Sequence, residues 1–128
     1  MDLLEALDIQ VTEVTEARTL ITLPISDKTK QPFGILHGGL NCVLAETAAS
    51  LAANAYLGKT KRVAVGLDIQ THHLAAVSTG VLIAEATPIR LGQQILVYQV
   101  CTYLAGTSKQ TSLSTVTLMA KTFSKEEH

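Results

Sequence analysis

Apolar and polar positions change their period twice along the chain, which divides it into a strand pair, one helix and a run of strands. Apolar residues alternate with polar neighbours over Ile9–Thr15 and Arg18–Ile25, which predicts two strands. The period of two returns after the helix and predicts four more strands. The first of these begins at Val63, and the others cover about Gly80–Arg90, Gln93–Leu104 and Gln110–Phe123.

The segment between the two groups of strands has the composition of a buried helix. It runs from about Gly39 to Leu57, is rich in alanine, and stops near Gly58, a plausible C-cap. A helix that is apolar nearly all round must be enclosed by other elements. Consecutive strands joined by short turns favour antiparallel pairing. The pattern therefore predicts an α+β fold in which an antiparallel sheet of five to six strands wraps around one long central helix.

Composition sets limits on the class of protein. With 128 residues, 47% of them hydrophobic and 16% charged, the chain is expected to form one ordered domain over residues 1–128. A net charge of −1 argues against nucleic acid as a partner, and no apolar run is long enough to predict a membrane span. No signal peptide is visible, and Cys42 and Cys101 form no CxxC pair, so we expect reduced thiols in a cytoplasmic protein.

One carboxylate interrupts the apolar helix. Glu46 is the only charged residue between Leu40 and Leu57, and a carboxylate in such a setting is costly unless it has a partner or a function. It belongs to a polar stripe that recurs every four residues along the helix, formed by Cys42, Glu46, Ser50 and Asn54. Glu46 is therefore either the partner of a basic residue in a subunit interface or a reactive group.

The sequence His37-Gly38-Gly39 lies where the helix should begin. Free N–H groups and the helix dipole attract negative charge there, so the Gly38 N–H is a candidate to polarise a carbonyl group. The alternative is a tight turn into the helix that binds nothing. Glu46 follows eight residues later, which is about 12 Å along one helix. Reacting atoms must approach within roughly 3–3.5 Å, so the two groups are expected to meet only between two chains.

These residues carry a family resemblance. With Gln31–Gly34 (QPFG), His37–Gly39 (HGG) and Ala45–Ala48 (AETA) in this order, the chain resembles the hotdog-fold acyl-CoA thioesterases. It is similar to the branch that includes the phenylacetate-pathway (PaaI-like), 4-hydroxybenzoyl-CoA, enterobactin-proofreading and 1,4-dihydroxy-2-naphthoyl-CoA thioesterases. Val65–Ile69, followed by His73, resembles that family's strand after the helix. The resemblance implies hydrolysis of a small or aromatic acyl-CoA to the free acid and CoA, and a long-chain tunnel stays open as an alternative.

The resemblance also implies roles for particular residues. Glu46 would be the catalytic carboxylate, acting either as a nucleophile through a mixed anhydride or as a general base on water. Gly38 would supply the oxyanion N–H, with His37 in a supporting role. Gln31 would help to hold the substrate, and Ser50 would position the carboxylate or a water. The residues alone leave simpler roles open, namely a helix cap for His37, an exposed loop position for Gln31 and a bond to a helix carbonyl for Ser50.

Binding of the CoA portion needs cations for its phosphates. The family resemblance places His73 near bound CoA, and the candidate cations are Lys59, Lys61, Arg62 and Arg90, which could equally be solvated loop charges. Relatives often carry a basic residue where this chain has Leu74-Ala75-Ala76. No metal-ligand spacing is present, so we expect no metal and no cofactor beyond the CoA of the substrate.

The assembly expected from the resemblance is a homodimer with shared active sites, and further a dimer-of-dimers tetramer. Two other functions stay open on the sequence alone. One is a non-catalytic acyl-CoA binding module of the same fold. The other is a hotdog hydratase or dehydratase, which also uses a helix carboxylate with a histidine, although the flanking motif here does not resemble theirs.

Overall fold

The computed structural model describes residues 1–122, in which one long helix lies against a six-stranded sheet. The helix predicted over Gly39–Leu57 is confirmed with the same bounds, and the predicted strands are confirmed within a few residues. Phe123, at the predicted end of the last strand, lies outside the described residues. The elements are α1 (Leu3–Ala6), β1 (Gln10–Val14), β2 (Thr19–Pro24), a 3₁₀ turn (Asp27–Thr29), α2 (Gly39–Leu57), β3 (Arg62–His73), β4 (Val81–Leu91), β5 (Ile95–Leu104) and β6 (Gln110–Thr122).

The sheet is antiparallel throughout, with the strand order β1-β2-β4-β5-β6-β3. The three strands β4, β5 and β6 follow one another through short turns, as the sequence predicts. Gly106, in the β5–β6 turn, has a φ of 80°, a conformation that glycine adopts without strain. Because β3 pairs only with β6 in the described chain, its 12 residues form one edge of the sheet.

The core lies between α2 and the sheet. The side of α2 that faces the strands is built mainly of alanines with no solvent exposure (Ala45, Ala48, Ala49, Ala52 and Ala53). These small side chains let the helix approach the sheet closely, and larger side chains such as Tyr98, Leu96 and Leu118 fill the space from the strands. The helix contacts all six strands, so the predicted wrapping of the sheet around it is confirmed.

A β-bulge in β3 changes which residues face the helix. The pairing with β6 shifts between Gly66 and Asp68, so Leu67 is an extra residue in the strand. Ala64 and Gly66 face α2 before the bulge, and Ile69, Thr71 and His73 face it afterwards. The period of two predicted from Val63 onward is therefore wrong at this point, and Val65 and Leu67 are left exposed in the single chain.

We expect the close approach of α2 to the sheet to be sensitive to side-chain volume. Ala49→Leu should lower the free energy of unfolding by about 1–3 kcal/mol, because the added atoms have no room at a fully buried position. Ala55→Leu, on an exposed position of the same helix, is the matched control and should change it by less than about 0.5 kcal/mol. Urea titrations of both variants measure the difference, and equal stabilities would contradict this packing.

Candidate active site

The loop before α2 is fixed by backbone hydrogen bonds on both sides. The His37 N–H donates to the Thr29 carbonyl at 2.9 Å, and the Leu36 N–H donates to the Val77 carbonyl at 2.8 Å. Gly34, with a φ of 87°, closes a turn in which its N–H donates to the Gln31 carbonyl at 2.9 Å. The start of α2 is therefore held between the 3₁₀ turn and the segment after β3.

His37 caps the helix that follows it. Its Nδ1 accepts a hydrogen bond from the Gly39 N–H at 2.9 Å, which satisfies one of the free donors of the first turn. A Cβ on Gly39 would lie 3.0 Å from the ring, so a glycine leaves room for this arrangement. The capping role that the residues alone suggested for His37 is present, and its contact with a substrate stays a prediction.

Gly38 lies in a cleft beside this helix start. Within residues 1–122 its N–H donates to no acceptor. The cleft has a volume of about 340 Å³, and we call it the His73 cleft. Its lining consists of Gln31, Ile35, Leu36, Gly38, Asn41 and residues 73–77. A free N–H at the positive end of a helix dipole is available here to a carbonyl oxygen.

Asn41 is a residue of this cleft that the sequence analysis did not single out. It is only 3% exposed, and its Nδ2 lies 3.1 Å from Nδ1 of His73. The available signal was a polar residue in the first turn of an apolar helix, on the side that the alanines place against the sheet. His73 itself faces the helix, and His72 points to the opposite face of β3, as the strand period predicts.

Glu46 lines a different surface depression. We call it the Glu46 groove; it has a volume of about 360 Å³ and lies between α1 and α2. Its lining consists of Leu3, Leu4, Val43, Glu46, Thr47, Ser50 and Leu51. The Glu46 groove and the His73 cleft share no residue, so one chain does not bring the carboxylate to the Gly38 N–H.

The polar stripe of α2 faces the edge strand β3. Cys42 Sγ donates to Thr71 Oγ1 at 3.5 Å, and the Ala64 N–H donates to Asn54 Oδ1 at 3.0 Å. Between these two contacts, the carboxylate of Glu46 lies over Gly66, where a Cβ would come 2.7 Å from Oε1. Glu46 forms no ion pair with any residue in the described part of the chain. A salt bridge within one chain therefore does not explain why a carboxylate stands on this helix.

Ser50 lies one turn after Glu46 in the same groove. Its carbonyl accepts a hydrogen bond from Asn54 Nδ2 at 2.9 Å, and its hydroxyl lies 3.4 Å from the same nitrogen. Ser50 thus adjoins the carboxylate and helps to hold Asn54 in place. Its action on a carboxylate or water during a reaction stays a prediction.

The predicted phosphate-binding cations lie away from the His73 cleft of their own chain. Lys59, Lys61 and Arg62 follow the C-terminal end of α2, whose 19 residues span about 28 Å. Arg90 is exposed near the β4–β5 turn. Another cation, Lys109, donates through Nζ to the Ala76 carbonyl at 3.2 Å, beside the His73 cleft. Sequence reasoning missed Lys109 because it belongs to the distant β5–β6 hairpin.

Metal ligands, cysteines and membrane-spanning helices were the remaining features to locate in the described chain. Among residues 1–122, no three His, Cys, Asp or Glu side chains come together as a metal site. Both cysteines are free, and burial raises the pKa of the Cys101 thiol. No helix over the same residues has the length and apolar character that crossing a bilayer requires.

Comparison with known proteins decides the family. The sequence matches the family model of the thioesterase superfamily over residues 33–109. ComA2 of Bacillus subtilis (strain 168) is 43% identical over 101 residues, which cover 79% of this chain and 80% of that protein. The chain belongs to the thioesterase superfamily.

Further relatives of this thioesterase agree with the fold and the activity. The 1,4-dihydroxy-2-naphthoyl-CoA hydrolase of Listeria monocytogenes serotype 1/2a is 35% identical over 100 residues, covering 78% of this chain and 80% of its own. The crystal structure of thioesterase HI1161 from Haemophilus influenzae superposes with a TM-score of 0.90 at 37% identity, over 98% of this chain and 86% of that one. The resemblance seen in the sequence is confirmed: the fold is the hotdog fold, and the protein is a thioester hydrolase.

The contact between Glu46 and Gly66 gives this thioesterase a test of its candidate site. Gly66→Ala should lower kcat about 10²-fold, since the new methyl group displaces the Glu46 carboxylate by about 1 Å. The protein should stay folded, because the end of the Glu46 side chain can move aside. Release of thiol from benzoyl-CoA measures the loss, and the melting temperature checks the fold. Val65→Ala, on the same strand, is the control, and an unchanged kcat in Gly66→Ala would remove Glu46 from the site.

Proposed function

We propose that this thioesterase hydrolyses small or aromatic acyl-CoA thioesters to the free acid and CoA, at sites shared by two subunits. The proposal rests on the groups of α2 that lie against the edge strand β3. Gly66 lies under the carboxylate of Glu46, and His73 packs against Gly38 and Asn41 farther along the same strand. The carboxylate and the Gly38 N–H therefore both lie along β3, whose outer edge pairs with no strand within residues 1–122.

Pairing of β3 with the same strand of a second copy would bring the carboxylate of one chain to the Gly38 N–H of the other. A long unpaired edge strand is an open template for antiparallel pairing, and Val65 and Leu67 are exposed on it. A two-fold axis near Ile69 and Gln70 would set His73 opposite Gly66 of the partner subunit. Glu46 of the partner subunit would then lie beside Gly38. Association of two such dimers into a tetramer stays a prediction.

The chemistry of the shared site suits a thioester. The carbonyl oxygen would accept from the Gly38 N–H, where the helix dipole stabilises the negative charge that develops on that oxygen. Glu46 of the partner subunit would either attack the carbonyl carbon, giving a mixed anhydride that water hydrolyses, or remove a proton from an attacking water. In both routes the C–S bond breaks and a thiolate leaves; with a generic thiol pKa of about 8.5 it needs no strong general acid.

The Glu46 groove and the His73 cleft suit the two different parts of the substrate. Leucine and valine side chains line the Glu46 groove, which suits an apolar acyl group of limited size. The His73 cleft continues along residues 74–77 and suits the pantetheine arm of CoA. Lys109 lies beside that segment, and the same pairing of β3 would bring Arg62, at the start of the partner subunit's β3, toward the end of β3 that leads into it, so phosphates would meet positive charge there.

Replacement of the carboxylate tests this function. Glu46→Gln should lower kcat for benzoyl-CoA by about 10²–10⁴-fold while CoA still binds, because the amide keeps the shape but neither attacks nor accepts a proton. Asp68→Asn, which removes a carboxylate from the outer face of β3, is the control and should retain activity. The assay is thiol release from benzoyl-, phenylacetyl-, hexanoyl- and palmitoyl-CoA.

Each contrary result has a defined meaning. Wild-type protein that binds these compounds but releases thiol from none of them would favour a non-catalytic acyl-CoA binding module. Loss of water from 3-hydroxyhexanoyl-CoA, added as a fifth compound, to give the enoyl-CoA would favour a dehydratase. Full activity in Glu46→Gln would contradict the role of Glu46.

A further inference from the structure

The contact between Asn41 and His73 has a chemical consequence of its own. Asn41 is 3% exposed, its Nδ2 lies 3.1 Å from His73 Nδ1, and its Oδ1 is buried without a hydrogen-bond partner among the described residues. Buried polar groups without partners are costly, so an asparagine at this position requires a reason.

The orientation of the Asn41 amide fixes the proton position on neutral His73. The structure has Nδ2 toward the ring, and an amide nitrogen has no lone pair with which to accept a ring N–H. An N–H of Asn41 therefore donates to Nδ1, while the Asn41 carbonyl oxygen has no partner among the described residues. Nδ1 is therefore an acceptor, and the proton of the neutral imidazole is on Nε2.

The His73 ring also packs against Gly38. A Cβ on Gly38 would lie 3.1 Å from Cε1, 3.3 Å from Nε2 and 3.5 Å from Nδ1 of His73, so the ring lies against the backbone of the helix start. The Nε2–H therefore lies next to Gly38, in the cleft that both residues line. Beyond the ring the cleft continues along residues 74–77, the path suggested above for the pantetheine arm.

We propose that Asn41 is a positioning residue, which holds His73 as an Nε2–H donor to a carbonyl oxygen of the substrate's pantetheine arm. The substrate part of this inference rests on the proposed acyl-CoA hydrolysis, whereas the state of His73 does not. Asn41 would act before any chemical step, by fixing one tautomer and one ring orientation. Its loss should therefore weaken substrate binding and leave the turnover rate nearly intact.

The state of His73 is measured first, without substrate. In ¹⁵N NMR spectra of the wild-type protein at a pH where His73 is neutral, Nε2 should be protonated and Nδ1 unprotonated, with the signals assigned by comparison with His73→Ala. Asn41→Leu should give a mixture of tautomers, and Asn41→Asp should place a proton on Nδ1, because a carboxylate accepts but does not donate. A wild-type Nδ1–H tautomer would overturn the proposal.

A double-mutant cycle then tests the action on substrate. Asn41→Leu should raise KM for benzoyl-CoA about 3- to 10-fold, the usual value of one hydrogen bond, with kcat within about twofold. In a His73→Ala background the same substitution should have no further effect, since Asn41 acts through His73. An equal rise in KM in both backgrounds would reduce Asn41 to a structural residue. If no acyl-CoA is hydrolysed, the proposed function fails. The role of Asn41 is then still decided by the NMR result and by the CoA affinities of the wild type, the two single variants and the double variant.

Discussion

The close packing of α2 onto the sheet is the constraint on which the rest of the structure depends. A helix face of alanines brings the backbone of α2 near the strands, and all six strands contact it. This leaves one direction for its polar stripe, toward the edge strand β3. Cys42 and Asn54 contact that strand, and Glu46 between them lies against the glycine of a β-bulge. Glu46, the proposed catalytic carboxylate, is thus placed by the same contact that forms the core.

The N-terminal end of α2 lies over a part of the sheet with different chemistry. Hydroxyl groups of β3, β5 and β6 pair there with one another, including Thr71 with Ser114 at 2.8 Å and Thr102 with Thr111 at 2.7 Å. Because these buried groups are hydrogen-bonded, they form a polar floor without leaving donors unpaired. Gly38, Asn41 and His73 lie at the border between this floor and the His73 cleft. The helix start, these hydroxyl groups and the cleft thus place polar groups at the end of an otherwise apolar core, where the proposed function puts the polar arm of the substrate.

Local pattern predicted most of the fold and part of the arrangement of the candidate site. The bounds of α2 and the run of strands follow from changes in period, and the stripe of Glu46 follows from helical spacing. The bulge at Leu67 was missed because an apolar residue there continues the alternation, and the shift becomes visible only in the pairing with β6. Asn41 and Lys109 were missed for a related reason, since each is brought to the His73 cleft by a contact with a distant segment. The separation of Gly38 from Glu46 was predictable, because the rise of a helix fixes it.

The central claim is that Gly38 and Glu46 of different chains form each active site, and complementation of two inactive variants tests it most directly. Gly38→Pro removes the free N–H at a φ of −58°, which proline adopts, and Glu46→Gln removes the carboxylate. Refolded together, the two variants should recover about a quarter of the wild-type sites, since half of the dimers are mixed and each mixed dimer has one intact site. The account would be contradicted if mixed dimers form but release no thiol from benzoyl-CoA. It would also be contradicted if light scattering finds the protein monomeric.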